Sequence, residues 1–135
     1  MVDLPADLSE RTRAGYAAFN AGDTETLETM LDPRFEWHEA AEIPGVKSAT
    51  SREEFVRFMR GFDRLWDEFG FEPLELRPNG DDLVYVRARA RGRGKASAEL
   101  VEFDIHHVWR TEGGLFVRMD AYLEADEARA AAGLI

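Results

Sequence analysis

Between residues 71 and 123 the side chains alternate with a period of two, interrupted by turn residues, which commits the second half of the chain to a run of antiparallel strands. Leu74 and Leu76 alternate with Glu75 and Arg77, and Pro78-Asn79-Gly80-Asp81 is a turn. Residues 83–91 place Val84, Val86, Ala88 and Ala90 on one face and Tyr85, Arg87, Arg89 and Arg91 on the other. A flexible connection over 92–97 leads into a long strand over 98–110, a hairpin turn at Glu112-Gly113-Gly114 and a last strand over 115–123.

The first half follows a helical period. Residues 7–20, capped by Asp7 or Ser9, bring Leu8, Gly15 or Tyr16, and Phe19 to one face. Gly22 suits the left-handed end of that helix, and Asp23 caps a short second one with Leu27, Met30 and Leu31 inward, closed by Asp32-Pro33. Residues 34–40 alternate, with Phe35, Trp37 and Glu39 pointing one way and Glu36 and His38 the other. A loop over 42–50 precedes the capping box Ser51-Arg52-Glu53-Glu54. Behind it Phe55, Phe58, Met59, Phe62, Leu65 or Trp66, and Phe69 hold the helical rhythm, an aromatic face that must lie on a sheet. An alanine-rich helix over 125–132 stops at Gly133. Helices segregated to one side of a curved antiparallel sheet define an α+β fold, and residues 1–135 make one domain.

Seventeen basic residues against 27 acidic ones give a net charge of −10, which repels phosphate backbones and anionic lipid; no nucleic acid and no membrane partner is expected. With no cysteine the chain has no thiolate nucleophile, disulfide or Cys-ligated zinc. Met1 to Asp7 carries no apolar signal core, and no apolar run approaches the roughly 20 residues a bilayer span needs. The expected location is cytoplasmic.

A two-residue loop at Glu112-Gly113 would pair Thr111 with Gly114. Glu102, Asp104, His106 and Val108 would then face Leu123, Ala121, Met119 and Val117, with Phe103, Ile105, His107 and Trp109 opposite Tyr122, Asp120, Arg118 and Phe116 on the other side. Neither face is plainly polar. The sheet is therefore expected to be covered on both sides, by its own helices and by a second copy of the chain in a homodimer. His106 and His107 point to opposite faces and cannot chelate one ion, and no metal or other cofactor is expected. Arg87, Arg89, Arg91, Arg93 and Lys95 form a basic stripe, either a solvated strand face paired with acids or an anion-binding edge.

Three stretches, Tyr16-Ala17-Ala18-Phe19-Asn20-Ala21-Gly22-Asp23, Phe35-Glu36-Trp37-His38-Glu39 and His107-Val108-Trp109-Arg110-Thr111-Glu112-Gly113-Gly114, resemble the SnoaL-like family. The terminal Tyr122-Leu123-Glu124 and the alanine-rich segment after it resemble a bacterial subgroup. The family belongs to the nuclear transport factor 2-like superfamily, which includes the ketosteroid isomerases. The resemblance implies a cone-shaped curved antiparallel sheet, a cystatin-like or SnoaL-like roll with helices packed on its concave face. One such scaffold serves isomerases, cyclases, dehydratases, epoxide hydrolases and non-catalytic binders.

Residue by residue, the resemblance puts Glu39 where the isomerases hold the aspartate that moves the substrate proton. It puts His106 where they hold a protonated aspartate that donates to the oxyanion. The isomerases' tyrosine falls on Gly15, with Tyr16 one residue further and about 100° around the helix. The face of Val108, His106 and Asp104 is assigned to the pocket, and that of Phe103, Trp109 and Phe116 to the outer surface or a dimer contact. His38 and His107 are expected to point away from the pocket.

The expected catalytic groups are thus Glu39 as base, His106 as hydrogen-bond donor or acid, and Asp104 orienting His106. The expected walls are Tyr16, Phe19, Phe55, Phe58, Met59 and Phe62 from helices, Trp37 beside Glu39, and Val86, Ala88, Val108, Met119, Ala121 and Leu123 from the sheet. Two functions fit: cofactor-independent isomerisation, cyclisation or dehydration of a small apolar molecule, or a non-catalytic ligand-binding or dimeric scaffold module, dimerising through the convex sheet face.

Overall fold

Helix α1 (Leu8–Asn20) starts where the Asp7 carboxylate accepts the Glu10 N–H at 3.1 Å and ends at Gly22, whose φ of 69° lets Asp23 N–H reach back to Ala18 O. Asp23 then caps α2 (Thr24–Met30), accepting the Thr26 N–H at 3.1 Å and its hydroxyl at 2.6 Å. The computed structural model describes residues 7–43, 45 and 47–134, with the side chains of Phe62 and Asp63 outside that description. Strand β1 (Leu31–His38) follows α2 with no loop, so Asp32-Pro33 lies inside the strand instead of closing the helix. A two-residue strand β2 (Ser48–Ala49), hidden in the expected loop, pairs with β1. Helix α3 (Arg52–Leu65) opens on Ser51, whose Oγ accepts the Glu54 N–H at 3.1 Å as the capping box predicts. Then come β3 (Trp66–Asn79), β4 (Leu83–Gly94), β5 (Leu100–Glu112), β6 (Leu115–Tyr122) and α4 (Ala125–Ala131).

The helical rhythm read through Phe69 overshoots. Trp66 and Phe69 belong to β3, pairing begins at Trp66 opposite Gly94, and the register slips between Asp67 and Gly70 around Glu68, whose φ is 56°. That slip lets both rings lie against the bare backbone of Gly92, where a Cβ would sit 2.6 Å from Phe69 Cδ2 and 3.2 Å from Trp66 Cε3.

The strands form one curved six-stranded sheet in the order β2-β1-β6-β5-β4-β3, antiparallel throughout except that β1 runs parallel to β6. The α+β class holds, with a mixed sheet. Helices α1, α2 and α3 cover its inner face around a core that includes Phe35, Met30, Leu31, Val84, Val86 and Ile105. Helix α4 covers part of the outer face, where Ala128 and Ala132 pack on Tyr85 and Val108. Among the described residues no helix is long and apolar enough to cross a membrane.

The last hairpin departs from its expected register, and this relocates the site. Its loop is Gly113-Gly114, pairing Glu112 with Leu115, and the ladder shifts again between Arg110 and Thr111. His107 therefore faces Ala121, Trp109 faces Met119, and His106 faces Tyr122, not Met119. Since side chains alternate sides, an odd slip turns one strand over relative to the other. His107, Trp109, Met119 and Ala121 share the inner face, while His106, Val108 and Asp104 lie on the outer one. The aromatic residues that argued for a covering second copy, Phe103, Trp109 and Phe116, pack inward. The outer face carries an ion ladder instead: Asp104 is 3.4 Å from Arg87 and 3.3 Å from Arg89, Glu102 is 3.5 Å from Arg91, and Arg118 is 2.8 Å from Asp120. The basic stripe is a solvated, paired strand face.

Candidate functional site

Trp37 points inward from β1, and strand alternation puts Glu39, two residues on, on the same side. The Glu39 N–H bonds Lys47 O at 2.8 Å, which extends the β1–β2 pairing and fixes the backbone there. The Glu39 carboxylate accepts the Ala40 N–H at 2.9 Å. Burial raises its pKa, opposed by that N–H and by the nearby Lys47 charge.

Glu39 lines a cavity of about 60 Å³ between the inner sheet face and the three helices. Thr12, Gly15, Tyr16 and Phe19 of α1, Leu27 and Met30 of α2, and Phe55 and Phe58 of α3 form one wall; Leu31, Trp37, Phe71, His107, Trp109, Phe116 and Met119 form the other. Its polar groups are few. Thr12 spends its hydroxyl on Leu8 O at 2.7 Å, leaving Glu39, Tyr16, His107 and Trp109. The walls are otherwise apolar, as in small-molecule sites.

Three of those polar groups form a chain. Trp109 Nε1–H donates to Tyr16 Oη at 3.0 Å, and Tyr16 Oη lies 2.5 Å from His107 Nδ1. The tyrosine and imidazole rings stack with centroids 5.8 Å apart and planes at 12°, while Phe71 meets the imidazole edge-on. Burial dominates the electrostatics, pushing His107 down to about 3, with His106 adding to the depression. It also pushes the Tyr16 phenol far up, against the Trp109 hydrogen bond. Both are neutral across the ordinary pH range.

Of the expected site residues, the structure brings Glu39, Tyr16, Phe19, Trp37, Phe55, Phe58 and Met119 to the cavity. Met59, Val86, Ala88 and Ala121 are buried in the inner core without lining it, and Leu123 packs against that core. Val108 is under α4 on the other side. Phe62, expected in the wall, has its side chain outside the description. His106 is buried beneath α4, stacked on Tyr85 with its Nδ1 2.8 Å from Tyr85 Oη, and burial lowers its pKa more than Asp104 raises it. Asp104 is half-exposed and bound by two arginines. Neither shares a space with Glu39, because β5 sends alternate side chains to opposite faces.

His107, expected to point away, takes the inward place. Phe71, Trp109 and Phe116 were likewise missed. A signal for this was present: Arg87, Arg89 and Arg91 share one face of β4, and the acids that match them across the ladder are Asp104 and Glu102. Charge pairing thus sends Glu102, Asp104 and His106 outward together. The two histidines engage different tyrosines on opposite sides of the sheet, an arrangement that does not converge on one ion. His38 points outward as expected, 3.0 Å from Glu36.

Residues 12–119 match the family profile for the SnoaL-like domain. Among solved structures, an NTF2-like protein from Burkholderia thailandensis is 26% identical, with 87% of this chain and 92% of that one covered and a TM-score of 0.74. A protein of ketosteroid isomerase-like fold from Catenulispora acidiphila, solved with trimethylamine, is 18% identical over 92% of both chains, with a TM-score of 0.73. A candidate polyketide cyclase from Pseudomonas putida is 16% identical, covering 97% of this chain and 99% of that one at a TM-score of 0.76. No curated protein matches the chain.

Proposed function

Because the chain belongs to the SnoaL-like family of the nuclear transport factor 2-like superfamily, we propose that its inner cavity carries out cofactor-independent acid–base chemistry on a small, mostly apolar molecule, with Glu39 as the proton-transfer group. The observation that carries this reading is a carboxyl whose pKa is raised by burial, in the lining of a mainly apolar cavity. In such a step Glu39 removes a proton from the carbon beside a carbonyl. The C–H electron pair becomes a C=C bond as the carbonyl π pair moves onto oxygen, and returning the proton at another carbon of a conjugated enolate completes an isomerisation with no net consumption of acid or base. Cyclisation and dehydration use the same first step.

One observation favours a non-catalytic ligand-binding module instead. Tyr16, the phenol in the cavity, is engaged by both Trp109 and His107 and is not a free acid.

Hydrogen exchange of a simple ketone separates the two. With cyclopentanone in D2O, the protein should accelerate replacement of the α-hydrogens by deuterium, and Glu39→Gln should slow that exchange by about 10²–10⁴-fold. Binding of cyclopentanone without exchange, or full exchange in Glu39→Gln, removes the acid–base reading and leaves the binding module.

A further inference from the structure

The direction of the chain from Trp109 to His107 is set by chemistry alone. An indole N–H only donates, so Tyr16 Oη is an acceptor toward Trp109 Nε1. The phenol's own hydrogen then needs an acceptor, and His107 Nδ1 is the remaining partner at hydrogen-bond distance. The opposite arrangement, with hydrogen on Nδ1, makes Tyr16 Oη accept twice and strands its hydroxyl hydrogen in a buried apolar site. A lone pair on Nδ1 places the imidazole's one hydrogen on Nε2.

Nε2 has no hydrogen-bond partner among the described residues. His107 lines the cavity, and with Nδ1 engaged by Tyr16 the ring's other nitrogen is the polar atom it has left for that space.

We propose that Trp109 and Tyr16 are positioning residues that hold His107 as the uncharged tautomer with hydrogen on Nε2, presenting an N–H donor to a ligand's neutral acceptor oxygen inside the cavity. This rests on the reading of the cavity as a ligand site, and it narrows that reading. A carbonyl oxygen satisfies the donor. A carboxylate or phosphate finds no cation among the described lining residues and meets Glu39. In a proton-transfer step the same N–H faces the oxygen on which negative charge develops, without itself giving up a proton.

The test needs no variant to begin. Long-range nitrogen–proton correlation spectra of the full chain at pH 7 report which ring nitrogen of His107 bears hydrogen. The expected pattern is hydrogen on Nε2 alone; hydrogen on Nδ1, or on both, overturns the proposal. Cyclopentanone should shift the Nε2–H resonance, whereas methylenecyclopentane, of the same shape without an acceptor, should not. Equal shifts, or none with the ketone, overturn the donor role. Tyr16→Phe and Trp109→Phe should let the Nδ1–H form appear, and an unchanged pattern in a folded variant removes that residue's positioning role. If the unsubstituted protein does not accelerate ketone exchange while this pattern is intact, catalysis by Glu39 is rejected and the relay is not.

Discussion

Glu39 and His107 make the fold sensitive to pH in opposite directions. His107 in the folded chain titrates near 3, against about 6.5 in an unfolded one. Its contribution is full above about pH 6.5 and is lost as pH falls toward 3, because the unfolded state binds a proton that the folded state refuses. Each pH unit inside that window costs at most about 1.4 kcal/mol. Glu39 has the reverse sign. Its raised folded value makes burial cheapest below the ordinary carboxyl range and costlier as pH rises through that value. Calorimetric melting from pH 4 to 8 should show His107→Gln flattening the acid limb. The same scans should show Glu39→Gln raising the melting temperature at pH 8 but not at pH 4. A Glu39→Gln protein with unchanged melting at pH 8 would show that the carboxyl is not strained by burial.

At the scale of elements, two junctions carry the geometry. The first is the cap of α3: Ser51→Ala removes the acceptor for the Glu54 N–H and should cost about 1 kcal/mol in urea unfolding. The second is the start of β3, where Trp66 and Phe69 lie on Gly92. A methyl group at Gly92 meets the Phe69 ring at 2.6 Å, so Gly92→Ala should destabilise by about 1–3 kcal/mol. Gly61, inside α3 with no atom of the described residues within 4 Å of its missing Cβ, supplies the contrast: Gly61→Ala should stabilise by about 0.5–1 kcal/mol. The aromatic spacing from Phe55 to Phe69 fits a helix, yet the chain changes period at Trp66. What ends the helix is the partner strand, which supplies a glycine where the rings need room, and spacing along one segment carries no information about its partner.

At the scale of the molecule, Phe35 shows how sheet, helix and cavity are one packing unit. It is fully buried, 5.2 Å from the Phe55 ring on α3 and 6.1 Å from the Trp109 ring on β5, so it supports both walls of the cavity. Phe35→Ala should lower stability by about 3–5 kcal/mol, a large part of the 5–15 kcal/mol typical of a domain, seen as a lower urea midpoint. The sequence by itself determined the order of the four helices and of every strand but β2, the caps at Asp23 and Ser51, the apolar face of β4, and Glu39 beside Trp37, because these depend on neighbours within a few residues along the chain. It did not determine which histidine faces Glu39. That depended on the β5–β6 register, where the turn placed one residue later keeps the parity and the slip at Arg110-Thr111 reverses one strand against the other. Alternation makes inside and outside a matter of odd or even. The packing of Trp109, Met119 and Ala121 under the helices, together with the pairing of Asp104 with Arg87 and Arg89 outside, decided the parity.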